Sequence, residues 1–107
     1  MTIDGKKLQY ASLKETDCNT STQTLIPAID GKTVVVCDIF VSAKKNAVDA
    51  EISLYDGSTE FFIWFPEYTS SSINLKAPIH LGAGNAFKIG CDSTTTDFSV
   101  LATYYYL

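Results

Sequence analysis

His80 is the only histidine in the chain, so any step that needs an imidazole at neutral pH must use it. Over residues 73–81 one parity is apolar (Ile73, Leu75, Ala77, Ile79, Leu81) and the other is polar or turn-forming (Asn74, Lys76, Pro78, His80). His80 therefore reads as a solvated strand residue, with no nucleophile or carboxylate in a recognisable constellation around it. Cys37 and Cys91 fall on the inward parity of two separate strands, where a thiol behaves as a small hydrophobe. Cys18, within Thr16-Asp17-Cys18-Asn19-Thr20, is expected to be exposed and able to crosslink in oxidising buffer. Three widely spaced cysteines without a C-x-x-C pair suggest neither a disulfide framework nor a zinc knuckle. His80, Cys91 and Asp92 also lack the spacing of a metal set, and Asp49 with Glu51 reads as an exposed, solvated pair of carboxylates. The expectation is no catalytic residue, no metal, no cofactor and no enzymatic activity.

Gly31-Lys32-Thr33 has the closing letters of a phosphate-binding loop. Such a loop needs a glycine five residues earlier and must open a helix. That earlier position is Ile26, and Thr33 leads into Val34, Val35 and Val36, whose β-branched side chains favour a strand. Asp30-Gly31 is read as a turn into a central strand.

With 107 residues the chain can form one domain with a real core, and 46% hydrophobic residues with 19% charged residues place it among globular β-rich chains. A net charge of −4, with every basic residue a lysine, argues against a nucleic-acid partner. Acidic residues Asp4, Glu15 and Asp17 interrupt any leader-like apolar run, and no stretch approaches the roughly 20 apolar residues of a membrane span. A soluble protein made in the cytoplasm is expected, with no membrane partner.

Period-two alternation dominates. In residues 33–43 the odd positions Val35, Cys37, Ile39, Val41 and Ala43 are apolar and expected inward. Residues 47–56 alternate similarly through Val48, Ala50, Ile52 and Leu54, with Lys44-Lys45-Asn46 read as a hairpin loop between the two strands. Asp56-Gly57-Ser58 is the next turn, leading into Thr59-Glu60-Phe61-Phe62-Ile63-Trp64-Phe65, apolar on both parities and closed by Pro66. Pro78 marks residues 73–81 as an edge strand or a bulge, Gly82-Ala83-Gly84-Asn85 is a turn, and a last strand runs from Phe98 to about Tyr106. The count is about eight strands, the pattern of an all-β antiparallel sandwich or jelly roll. Residues 1–22 are expected to be an N-terminal segment or arm, and residues 23–107 the single sandwich domain.

Strands apolar on both faces need cover. Val34, Val36 and Phe40 on the second parity of the central strand, Phe62 and Trp64, and Tyr105 within Tyr104-Tyr105-Tyr106 are the interface candidates.

The run Thr24-Leu25-Ile26-Pro27-Ala28-Ile29-Asp30-Gly31-Lys32-Thr33-Val34-Val35-Val36 resembles the opening of small β-sandwich virion structural proteins of tailed bacteriophages. The similarity continues through the Asp-Gly hairpin, Ala77-Pro78-Ile79-His80-Leu81, the Gly82-Ala83-Gly84-Asn85 turn and a closing strand ending in tyrosine, and so spans residues 24–106. This sequence departs from it in its cysteines and in the aromatic run 61–65. The resemblance implies a virion component, a capsid decoration or cement subunit or a tail-associated piece, working as a homo-oligomer, commonly a trimer. The partner it implies is the major capsid protein or another virion protein. The alternative is a tail or receptor-binding sandwich that recognises surface carbohydrate through Trp64 and tyrosines.

Overall fold

Runs of alternating apolar residues separated by Asp-Gly and Gly-rich turns form the strands, and the strands form two antiparallel sheets. The structure, a computed structural model, describes residues 2–3, 6–15, 22–44, 50–66, 71–76, 78–92 and 97–107. Among these residues the strands are β1 (Thr2–Ile3), β2 (Lys6–Lys7), β3 (Gln9–Glu15), β4 (Gln23–Ile26), β5 (Val34–Lys44), β6 (Ile52–Asp56), β7 (Thr59–Trp64), β8 (Ser71–Leu75), β9 (Ile79–His80), β10 (Phe87–Cys91) and β11 (Asp97–Tyr106). One sheet runs β4-β10-β6-β7 and the other β3-β11-β5-β8, with β9 also paired to β5. Strands β1 and β2 pair only with each other. The all-β sandwich expected from the alternation is the observed fold.

The core lies between the sheets. Ile52, Leu54, Phe87, Ile89 and Cys91 project from the four-stranded sheet, and Val34, Val36, Ile39, Val41, Phe98, Val100 and Ala102 from the other. Burying each large aliphatic or aromatic side chain contributes about 1.5–3 kcal/mol relative to exposure. Apolar contact between two sheets therefore provides most of the stabilisation. Tyr106, half-buried against this core, donates its hydroxyl proton to the Pro27 carbonyl at 2.7 Å, tying the last strand of one sheet to the segment that leaves β4 of the other.

Three sequence expectations need revision. The strands on either side of Lys44-Lys45-Asn46 are not hairpin partners, because β5 and β6 belong to different sheets; residues 45–49 themselves lie outside the described residues. Alternation alone cannot tell these cases apart, since both strands bury one face in the same core. Residues 73–81 form two short strands, β8 and β9, on either side of Pro78, both paired to β5; Ala77 lies outside the described residues. Within the 1–22 segment, residues 9–15 form edge strand β3 paired with β11, and Ala11 and Leu13 pack on the core. Residues 16–21, including Cys18, lie outside the described residues.

A carboxylate ties two turns together at one end of the sandwich. Asp56 closes the β6–β7 hairpin, whose Gly57 has φ +62°, a value that side-chain-bearing residues rarely adopt. Its carboxylate accepts the Gly82 N–H at 3.1 and 3.0 Å and the Asn85 Nδ2–H at 2.9 Å. The Gly57 N–H donates to the Ala86 carbonyl at 2.9 Å, and the Gly84 N–H reaches the Lys32 carbonyl at the same distance, so the Asp30-Gly31 turn joins the cluster. A Cβ at residue 82 would stand 2.6 Å from Asn85 Nδ2, so any larger residue there displaces the amide that Asp56 holds. Hydrogen bonds to a charged acceptor are each worth about 1.5–3 kcal/mol. We predict that Asp56→Ala lowers unfolding free energy by about 3 kcal/mol and Gly82→Ala by about 1–2 kcal/mol. In urea titrations the double variant should lose less than the sum, because both changes break the same Asp56–Asn85 contact.

Candidate interaction surfaces

The central strand β5 changes the face it buries part-way along its length. Opposite β11, Asp38 pairs with Thr103 while Val36 pairs with Tyr104, which leaves Cys37 as the extra residue of a β-bulge. One inserted residue reverses the side-chain parity of everything beyond it. Ile39, Val41 and Ala43 point inward as the odd-numbered pattern predicts, but on the other side of the bulge Val34 and Val36 are in the core. This corrects the outward placement that parity assigns to Val34 and Val36: at 1% and 0% exposure they are not part of the surface of this chain. Cys37 is correspondingly half-buried rather than packed inside. Val35 lies beside its strand partners Tyr105 and His80, and both Val35 and Tyr105 are buried although neither belongs to the inter-sheet core. His80 is exposed, as its parity predicts.

Of the six interface candidates, Phe40 is the one exposed outright, at 45%. It stands on the outer face of the five-stranded sheet beside its cross-strand partner Leu101, which is also exposed, and Asn74 and Ser12 continue the row across β8 and β3. Tyr10, the most exposed of the chain's large apolar residues that the structure describes, is two residues from Ser12 on the same face of β3. The neighbouring row is polar: Lys14, Ser99, Ser42 and Ser72 are successive cross-strand partners, and the Ser42 and Ser99 hydroxyl oxygens are 2.9 Å apart. With Lys44 and Asp97 these residues line an open basin of about 540 Å³ next to the Phe40–Leu101 ridge.

The second surface belongs to β7, an edge strand of the four-stranded sheet. Phe62 and Trp64 turn inward and are half-buried against the core, so the indole is not an open stacking platform. The exposed residues are Phe61, Ile63 and, just past the strand, Phe65. A bulge opposite Leu54 and Tyr55 makes Phe61 the extra residue of β7, and its ring lies 6.3 Å from that of Phe87. On the same sheet the Tyr55 ring crosses Gly90, where a Cβ would come within 3.3 Å of it, and its hydroxyl donates to Glu60 at 3.4 Å. Sequence parity separates Ile63 from Phe62 and Trp64 but misplaces Phe61, which the bulge puts beside the buried Phe87 ring at the rim of the core. It does not say which side faces out, because both are aromatic.

The titratable groups are arranged for structure. Cys91 is disulfide-bonded, contrary to the expectation of a buried free thiol: spacing in the sequence says nothing about which side chains the fold brings together. Cys37 is a free thiol. Burial, and after it the charge of Asp38, push its pKa up. At the opposite end of the sandwich from Asp56, Asp92 accepts the Glu51 N–H at 2.7 Å and returns its own N–H to the Glu51 carbonyl at 3.2 Å. The side-chain hydrogen bond and charge of Asp92 raise the Glu51 carboxyl above its ordinary value. Asp49, the other member of the sequence-derived carboxylate pair, lies outside the described residues. His80 is on the five-stranded sheet and Cys91 and Asp92 are at the end of β10 in the other, and among the described residues no group of side chains is placed to hold a metal ion.

Comparison with known proteins gives a fold-level likeness. No protein-family description matches the sequence, and no curated protein matches it. Among solved structures, a chain of the cyanophage Pam1 capsid asymmetric unit is similar with a TM-score of 0.56 and 17% identity, over 94% of this chain and 84% of that one. A chain of the extra small virus VLP of the giant freshwater prawn Macrobrachium rosenbergii matches at 14% identity over 98% of this chain and 82% of that one, with a TM-score of 0.42 that supports no structural argument. The sandwich is thus an architecture that a bacteriophage capsid chain also has.

Both raised pKa values should be visible in solution. Because the Cys37 thiol is held above its ordinary pKa, little thiolate is present at neutral pH, and alkylation of the native protein should be slow and accelerate only in alkaline buffer. Asp38→Asn removes the second cause and should shift the rate–pH curve to lower pH, as measured by mass spectrometry. Glu51 has a folded pKa above its unfolded one, so its contribution is full below the unfolded value and is lost as pH rises through the folded value. Asp92→Asn should flatten that decline in denaturant midpoints measured from acid to neutral pH.

Proposed function

We propose that this chain is a non-enzymatic structural subunit of a virion, a capsid decoration or cement protein that stabilises a shell through protein–protein contacts. It would be made in the host cytoplasm and act on the particle, alongside copies of itself and the major capsid protein or another virion protein. The observation that carries this reading is the exposure of large apolar residues: Tyr10, Phe40 and Leu101 on the outer side of one sheet, and Ile63 and Phe65, with Phe61 at the rim of the core, along the edge of the other. A sandwich with one interior needs none of these residues outside, and apolar patches rimmed by polar residues are what contact surfaces present. The architecture shared with a cyanophage capsid chain supports the same reading.

A second reading, a tail or receptor-binding module for carbohydrate, has one feature in its favour. Exposed Phe40 stands one cross-strand row from a basin lined by serine hydroxyls, Lys14, Lys44 and Asp97, a setting that suits a sugar's apolar face and its hydroxyl rim. Co-sedimentation with purified phage shells and a glycan array decide between the two. The structural reading predicts that Phe40→Asp with Leu101→Asp weakens shell binding at least about tenfold, since each buried apolar side chain is worth about 1.5–3 kcal/mol and 1.4 kcal/mol is tenfold in affinity. Unchanged circular dichroism would show that the fold is intact. Failure of the parent protein to bind any shell, together with a glycan hit lost in Phe40→Ala, would favour the carbohydrate reading.

A further inference from the structure

An aspartate followed by glycine carries a reaction of its own, because glycine has no side chain to keep the aspartyl carboxyl away from the next amide nitrogen. The chain has three such pairs, Asp4-Gly5, Asp30-Gly31 and Asp56-Gly57. The first lies outside the described residues. The other two are turns with glycine at positive φ, +74° at Gly31 and +62° at Gly57, yet the fold treats them differently.

At Asp56 both reacting groups are engaged. Its carboxylate oxygens are held by the Gly82 N–H and the Asn85 amide, and the Gly57 N–H that would have to attack is donated to the Ala86 carbonyl at 2.9 Å. The Asn85 side chain also fills the space beside Gly57, where a Cβ would meet it at 3.2 Å. The turn at Asp30 is closed around the pair, by the Lys32 N–H donating to the Ile29 carbonyl at 3.0 Å. The amide between Asp30 and Gly31 is left in the middle of that turn, and among the described residues neither it nor the Asp30 carboxylate has a hydrogen-bond partner. Both residues are exposed, and nothing lies within 4 Å of a Cβ placed on Gly31.

We propose that Asp30-Gly31 is a self-modification site, at which the native fold permits conversion of aspartate to isoaspartate while Asp56-Gly57 is protected. The Gly31 nitrogen attacks Asp30 Cγ, a C–N bond forms, and the amide hydrogen leaves with the hydroxyl of the protonated carboxyl as water, closing a succinimide ring. Water then adds back at either ring carbonyl. Opening at the side-chain carbonyl restores aspartate, whereas opening at the main-chain carbonyl leaves the chain running through Cβ, with one more carbon in the backbone and the carboxylate on Cα. The sum of the two steps is an isomerisation. The added carbon falls where β5 begins: the Lys32 carbonyl accepts from Gly84, and Thr33 exchanges main-chain hydrogen bonds with Leu107 at 3.0 and 2.8 Å. A lengthened turn therefore loosens β5 from both the Gly-rich turn and the end of β11. The chemistry belongs to the turn alone and holds whatever the chain assembles with.

Peptide mapping of the full native chain after prolonged incubation at neutral pH tests it, in heavy-oxygen water so that each ring opening is marked by the oxygen it takes up. Cleavage by an aspartate-specific protease, which does not cut at isoaspartate, scores the isomer. The expected result is label and lost cleavage at residue 30 at least about tenfold faster than at residue 56, since Asp56 must first open locally. In concentrated urea the two rates should converge. Asn85→Ala should raise the rate at residue 56 and leave that at residue 30 unchanged. Asp30→Glu, whose longer side chain would have to close a larger ring, should abolish the signal without moving the unfolding midpoint, and hydrogen exchange at the Gly84 and Leu107 amides should be faster in the isomerised fraction. Equal native rates at the two sites, a faster rate at residue 56, or a residue 30 that reacts in urea but not in the native chain would overturn the proposal.

Discussion

The bulge at Cys37 is the constraint on which the rest of the sandwich depends. Strand β5 is hydrogen-bonded to β11 along its whole length on one side and to β8 and β9 on the other. Its first residues, Val34 to Cys37, are apolar at both parities and its later ones chiefly at odd positions, and the bulge decides that Val34 and Val36, rather than Val35, share the core side with the later odd residues. Val34 and Val36 join Ile39, Val41 and Ala43 in a single core, while β11 continues opposite them without a change of face, from Phe98 through Ala102 to Tyr104. The cost is local: Cys37 is left half-buried, with Asp38 and Thr103 facing outward beside it.

The bulge also explains what can be read from the sequence and what cannot. Wherever one parity is apolar and the other polar, as in residues 50–54 and 73–81, the buried side is evident directly, and Ile52, Leu54 and Leu81 are buried as expected. Wherever both parities are apolar, alternation loses its information. Val34, Val35 and Val36 are all buried, on opposite sides of the sheet, and nothing in three consecutive valines says that the pleat is about to be interrupted. In residues 62–65 the two sides can be separated but not assigned, the exposed set being Ile63 and Phe65, opposite Phe62 and Trp64, while the bulge takes Phe61 out of the alternation. Strand pairing is harder still. The turn at Asp56-Gly57 is legible because its chemistry is local, whereas the crossing between β5 and β6 and the bond at Cys91 depend on chain segments meeting from far away. The candidate surfaces are legible as a surplus of apolar residues and illegible as positions.

That surplus is divided between the sheets in a way that bears on assembly. The five-stranded sheet presents its apolar residues on a face, as a ridge of Phe40 and Leu101 bordered by a polar row of serines and lysine. The four-stranded sheet presents them along an edge, where the backbone is unpaired as well. A face can be covered by any surface of matching shape, but an edge can be completed only by an extended strand.

The four-stranded sheet is tied at both ends. The disulfide-bonded end of β10, the Glu51–Asp92 clasp and the Asp56 cluster fix both ends of the four-stranded sheet, so β7 is held against β6 in a defined register before any partner arrives. Ordering the edge leaves the Phe40–Leu101 ridge untouched, because that ridge is held by β11 and β5, across the core from β7. Under the proposed virion role, apolar contacts on two rigid, separate elements would reinforce one another through effective concentration on a shell that repeats the same site.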